Sequence, residues 1–209
     1  MQLKDIFPEI TKAIKSNNIA KLDVLFRKHP DSIEMLSPFG TWLHYAANKS
    51  STTTLKALVD FGVDPRIRVK ALEMDELSEN GLSAIVKAAQ AGNLENFQFF
   101  MQLNVELDTH DPSANPLFAA VVGRSVDIVN LLLEAGIDVN FRYSGERMND
   151  MDALAFALER GETEIADVIA LHQTNGDVKK AEELKAERRS KGRHGRPPAP
   201  ENLKYKGES

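Results

Sequence analysis

Residues 40–48 read GTWLHYAAN. Neither strand alternation nor a single helical stripe accounts for a tryptophan, a histidine two places on and two adjacent alanines. The reading changes when the stretch is laid over three later ones. Thr41–Ala47, TWLHYAA, is followed by TLKALVDFGVDP, and Ser83–Ala89, SAIVKAA, by QAGNLENFQFFMQLNVELD. Asn115–Val121, NPLFAAV, is followed by VGRSVDIVNLLLEAGIDVN, and Asp152–Leu158, DALAFAL, by ERGETEIADVIALH. Each segment reads as a short helix, a tight turn and a second helix. The starts at 41, 83, 115 and 152 lie 42, 32 and 37 residues apart. A unit of about 33 residues with two insertions fits that spacing. The N-terminal stretch PEITKAIKSNNIAKLDVLFRKHPDSI follows the same plan, with Ala13 and Ile14 in the paired small-residue slot.

The pattern has a physical basis. Small pairs such as Ala46-Ala47 and Ala88-Ala89 let neighbouring first helices approach closely. The second helices carry apolar residues three and four apart, which places each set on one helix face. These sets are Leu22, Leu25 and Phe26; Leu55, Leu58 and Val59; Phe97, Phe100 and Met101; Ile128, Leu131 and Leu132; Ile165, Val168 and Ile169. Helices of this kind often end on a residue with positive φ. The slots after the second helices hold His29, Gly62, Asn104 and Gly136. Those after the first helices hold Asn17, Ser50, Gly92, Arg124 and Gly161; Ser50 and Arg124 do not suit that conformation, so their two turns are expected to differ.

TWLHYAA and LLLEAGIDVN together resemble the ankyrin repeat, whose signature is Thr-Pro-Leu-His-x-Ala-Ala, a Leu-rich helix and Gly-Ala-Asp-x-Asn. The likeness covers residues 5–172. Trp42 stands in place of the proline, LFAAVV lacks the histidine, and the end copies are degenerate, as terminal repeats facing water must be. The resemblance implies an all-α ankyrin-repeat solenoid of about five helix-turn-helix repeats with two elongated finger loops. It also implies that Thr41 caps its helix and that His44 hydrogen-bonds near it within the turn. Trp42 either covers the seam between repeats or stands exposed as an anchor. Three regions are expected: 1–172 as the repeat domain, 173–190 as a charged helix, and 191–209 as a disordered tail rich in Pro and Gly.

Composition narrows the function. The chain has 209 residues, 42% of them hydrophobic and 27% charged, and no cysteine, so no disulfide or thiolate metal site is available. No secretory leader is read at the start, and no apolar run approaches the roughly 18 residues that span a bilayer. The expectation is a cytoplasmic protein with no membrane contact. Of 26 Lys/Arg and 31 Asp/Glu, residues 173–209 hold ten and six, which leaves an acidic body over 1–172. An acidic body favours basic partners and disfavours nucleic acid. The run RRSKGRHGR touches nucleic acid, touches an acidic surface, or folds back on the body. The five histidines form no zinc-binding pair, and neither a nucleophile elbow nor a phosphate loop is present. No enzyme, cofactor, metal or small-molecule substrate is expected.

Protein binding remains. In ankyrin-like proteins the partner meets the ends of the first helices and the finger loops. Carried onto this chain, the helix-end positions include Lys15, Ser16, Asn48, Lys49, Gln90, Ala91, Val122, Gly123, Glu159 and Arg160, and the finger positions include Ser37, Pro38, Glu79, Asn80, Asp111 and Pro112. The insertions Val69–Asn80 and Tyr143–Met151 both lengthen fingers; each is a binding loop or a neutral insertion at an exposed turn. The first carries Glu73, Asp75, Glu76 and Glu79 on a stretch of good helix formers. Trp42, Tyr45, Tyr143 and Met148 are candidate anchors, with Arg142, Arg147 and the acidic loop giving orientation. Tyr45 has the alternative of lying within the stack. Small acidic ankyrin proteins resemble bacterial immunity proteins, which occlude a cognate toxin, and a basic toxin domain is the sharpest partner this implies. A host-directed effector or a scaffold adaptor is the alternative.

Overall fold

A computed structural model describes residues 3–37, 39–69, 81–144 and 150–190. Eleven α-helices and one 3-10 turn occur among them, with no strand. The fold is all-α and built of repeats. It divides into two compact units, residues 1–137 and 138–209. The tail expected at 191–209 lies outside the described residues.

The first unit holds four helix pairs. These are α1 (Leu3–Lys15) with α2 (Ile19–Lys28), α3 (Trp42–Lys49) with α4 (Thr52–Asp60), α5 (Ala84–Gln90) with α6 (Leu94–Gln102), and α7 (Pro116–Val122) with α8 (Val126–Glu134). First helices pack on first helices, α1 on α3 on α5 on α7, while α4, α6 and α8 form the second layer. The small pairs carry the inner layer: Ala46, Ala47, Ala88, Ala89, Ala119 and Ala120 are all buried. Leu22, Leu55, Leu58, Phe97, Phe100, Ile128 and Leu132 fill the space between the layers. Trp42 is 1% exposed. Its ring packs 5.4 Å from Phe7, and its indole N–H donates to the Ser32 carbonyl at 2.7 Å. It therefore covers the seam between the first two repeats.

Two asparagines latch successive repeats. Asn17 Oδ1 accepts from the Ser51 amide, Ser51 Oγ and Thr54 Oγ1 at 2.9, 3.0 and 2.9 Å. The buried Asn96 donates to the carbonyls of Ala47 and Ser50, each at 3.0 Å. This explains the turn after α3. Ser50 stays extended at φ −133, and Asn96 satisfies the carbonyls that a left-handed cap would otherwise serve.

Two other turns depart from expectation. Arg124 does adopt φ +55, like its counterparts. The Ser125 amide reaches back to Ala120 O at 3.2 Å, so the turn's own hydrogen bonds outweigh the residue's preference. His29 is not left-handed but lies at φ −137. Pro30 follows it, and a proline forces the residue before it into extended backbone.

The second unit holds α9 (Ala153–Arg160), α10 (Thr163–Gln173) and α11 (Val178–Ser190). The helix α11 packs on both α9 and α10, although its sequence is almost wholly polar. Asp177 caps its start, accepting from the Lys180 amide at 3.1 Å. Charge fastens the rest. The buried Arg188 donates to Asp152 Oδ2 through Nε at 3.0 Å, with Nη2 2.9 Å from the same oxygen. The buried Lys185 bridges Asp167 and Glu182, and both carboxylates raise its pKa. Arg188, from the basic run, thus folds back on an acid of its own unit.

Candidate protein-binding surface

Paired backbone bridges pinch the fingers where they leave the helix layers. They join Ser37 to Gly40, Val69 to Leu82 and Tyr143 to Met151. At the second, the Val69 and Leu82 amides donate to each other's carbonyls at 2.9 and 2.8 Å. The two insertions therefore leave and return through tight necks. Their interiors, 70–80 and 145–149, lie outside the described residues, and with them Glu73, Asp75, Glu76, Glu79, Asn80, Arg147 and Met148.

His44 ties a first helix to the neck of the next finger. Its Nε2 lies 2.8 Å from the Leu82 carbonyl and its Nδ1 2.8 Å from Thr41 Oγ1. A carbonyl only accepts, so Nε2 carries the proton and Thr41 donates to Nδ1. Thr41 holds the N-cap position, but its hydroxyl serves the histidine and no backbone amide of the helix. Burial drives the His44 pKa down to about 4, against the opposing pull of the Leu82 carbonyl and with help from the Lys87 charge. The unfolded chain, with an ordinary histidine near 6.5, binds a proton that the folded one refuses. Stability then rises with pH across this window and falls as pH drops from about 6.5 toward 4. The full loss at this group is about 3 kcal/mol. In an NMR titration the His44 ring should stay neutral at pH 5, and His44→Gln should remove this part of the acid sensitivity. A ring that titrates near 6.5 in the folded chain would contradict the assignment.

Electrostatics also holds the third finger. Burial opposes the charge on Asp108, but the His110 amide at 2.8 Å and Arg68 at 2.6 Å outweigh it and keep the carboxyl below its usual range. The Asp111 side chain is turned inward: Oδ1 accepts from the Ser113 amide at 2.7 Å, and Oδ2 is buried with no hydrogen-bond partner.

The small-residue contacts and the positive-φ turns recur from one helix pair to the next. A family model for ankyrin repeats, in three copies, matches residues 43–143. Residues 43–143 are ankyrin repeats. Over 100 residues, 48% of this chain, the sequence is 32% identical to the Ankyrin repeat and KH domain-containing protein mask-1 of Caenorhabditis elegans. The chain spans about 4% of that relative's length. The ankyrin repeat is a protein-interaction module. No helix among the described residues is long and apolar enough to cross a membrane.

The structure sorts the expected contact residues of these ankyrin repeats. In the first unit Lys15, Ser16, Asn48, Lys49, Ala91 and Val122 are exposed, while Gln90, Gly123, Ser37 and Pro112 are half-buried. Tyr45 is half-buried too, but its ring lies at the surface between the Phe39 ring, 6.0 Å away, and the Lys15 ammonium, 5.9 Å away. Trp42 and Asp111 are buried, Trp42 by packing and Asp111 with Oδ1 in an Asx turn, so neither stands at the surface. In the second unit Glu159 and Arg160 are exposed, with Arg160 over the Phe156 ring. Arg142 is occupied by Asp150 and Asp152. Tyr143 is buried at the finger neck against Phe141, so it is not an anchor. Pro38 lies outside the described residues. Sequence reasoning missed Leu36 and Phe39, two large apolar side chains of the first finger that are 63% and 59% exposed. An apolar residue beside the turn glycine Gly40 was the available signal.

Proposed function

We propose that this chain is a binding protein without chemistry of its own, and that it holds a protein partner on the first-helix ends and finger tips of residues 1–137. One observation carries this reading. Lys15, Asn48, Lys49, Ala91 and Val122 are exposed at the ends of successive first helices whose other residues are largely buried, and Phe39 is exposed on the first finger. Rigid backbone with exposed, chemically varied side chains is what preorganised recognition requires.

The finer reading follows the likeness to immunity proteins. The partner is then a toxin domain, and binding occludes it in the cytoplasm. The surplus of acidic groups over residues 1–172 supports a basic partner, with Glu73, Asp75, Glu76 and Glu79 steering the encounter. Within this reading residues 1–172 act as the binding domain and the charged helix after them closes its end.

The test is genetic and biochemical. Cells making the candidate toxin should survive when this chain is present, and the two should co-purify. Replacing Glu73, Asp75, Glu76 and Glu79 by Lys should abolish rescue. Tight binding without rescue would reject immunity in favour of a scaffold or effector role.

A further inference from the structure

The first finger and the α1–α3 end carry a feature that general protein binding does not explain. Phe39 and Leu36 present their side chains to solvent. The Phe39 ring meets the Tyr45 ring at a 56° tilt, and the Lys15 ammonium sits over the Tyr45 ring. Beside them a shallow hollow of about 380 Å³ is lined by Pro8, Thr11, Lys12, Lys15 and Ser16. Lys49 is exposed at the end of α3. Three cations of the second helices are paired instead. Lys21 is bridged to Glu9, Arg27 to Asp23 and Lys56 to Asp60. Among the described residues Lys12, Lys15 and Lys49 have no carboxylate within ion-pair range. Three cations without a carboxylate partner therefore lie at the end of the surface that carries the exposed Phe39 and its neighbour Tyr45.

Charge complementarity and the free ring face point to one occupant. We propose that this end of the surface is a subsite for an acidic segment of the protein partner bearing an aromatic side chain. The segment's carboxylates would pair with Lys12, Lys15 and Lys49, and its ring would rest on Phe39 and Tyr45. A desolvated aromatic contact inside a rim of charge pairs is the arrangement that concentrates binding energy. The lysines set orientation and encounter rate, and the rings set affinity. This inference rests on the reading that the surface binds protein, and it is independent of whether the partner is a toxin.

The test uses the full chain and short fluorescent peptides of three designs: acidic with one phenylalanine, the same peptide with that residue replaced by alanine, and a lysine-rich peptide retaining the phenylalanine. Anisotropy should show saturable binding of the first, about tenfold weaker binding of the second and none of the third. Lys15→Glu and Phe39→Ala should each weaken the first peptide about tenfold, while Arg27→Glu on the second helix should leave it unchanged. Far-UV circular dichroism confirms that each variant is folded. Four results would overturn the subsite: indifference to the phenylalanine, equal binding of the lysine-rich peptide, equal binding of a single-stranded oligonucleotide, or self-association of the free chain abolished by Phe39→Ser. A co-purified partner indifferent to Lys15→Glu and Phe39→Ala overturns the subsite and leaves protein binding standing. A chain that holds no partner removes both.

Discussion

Asp152→Ala should release α11 from the α9–α10 pair. The Asp152 carboxylate is buried and serves three groups: the Ala155 amide at 2.8 Å, Arg188 at 2.9 Å and Arg142 at 3.4 Å. Truncation leaves the buried Arg188 with only the longer contact to Glu187 at 3.7 Å, which costs about 3–5 kcal/mol. Loss of the helix cap adds about 1 kcal/mol. Amide exchange across Val178–Ser190 should then quicken by about a hundredfold or more. Asp152→Asn separates the two terms, because asparagine still caps the helix but leaves the arginine without its buried carboxylate; most of the loss should remain. Arg188→Met removes the cation and leaves Asp152 near Arg142, so its cost should be smaller. The Asp152→Asn, Arg188→Met double variant should recover most of the protection. If Asp152→Ala behaves like the exposed Glu159→Ala, the charge-fastened helix is wrong.

The second large effect belongs to Gly123. A Cβ there would lie 2.1 Å from the Ala89 carbonyl oxygen and 2.8 Å from the Gly92 nitrogen, both backbone atoms. A Cβ on Gly92 would lie 2.7 Å from the Gly123 carbonyl oxygen. The ends of α5 and α7 thus meet glycine on glycine, and neither backbone can yield without moving a helix. Gly123→Ala should cost about 3 kcal/mol. At about 2–4 °C per kcal/mol for a chain of this size, the melting temperature should fall by roughly 6–12 °C. Gly136→Ala is the control. That residue has φ +77 but open space around its Cβ, so only backbone strain of about 1–2 kcal/mol applies. Equal losses at the two positions would mean that helix spacing is not set by the glycine contact. Sequence register offered Gly123 as a partner contact; the structure gives it a packing role.

The contrast shows what a sequence exposes. The small pairs and the stripes of the second helices were legible because burial and periodicity are local properties. Asn17, Gly62, Gly92, Asn104, Gly136 and Gly161 take the positive φ expected of their slots. His29 does not, although Pro30 was visible beside it. Ser50 and Arg124 looked alike as poor caps, yet only Ser50 departs, because Asn96, distant in sequence, serves its turn. The fastening of α11 was hidden for a related reason. A polar helix reads as solvated until its partners, Asp152 and Asp167, are known in space. Trp42 and Tyr143 are aromatic and near fingers, which suits an anchor as well as a packed position; both are buried, Trp42 in the seam between repeats and Tyr143 at the finger neck. Phe39 was passed over because consensus positions direct attention to the helices and away from the turn.

The claim that a partner lies across the first-helix ends and fingers of residues 1–137 can be tested by site-specific photo-crosslinking of the full chain with its co-purified partner. A photoreactive residue at position 45 or 49, on the first-helix side, should trap the partner. One at Val24 or Lys56, exposed on the second helices, should not. Trapping at 24 or 56 with none at 45 or 49 would contradict the account.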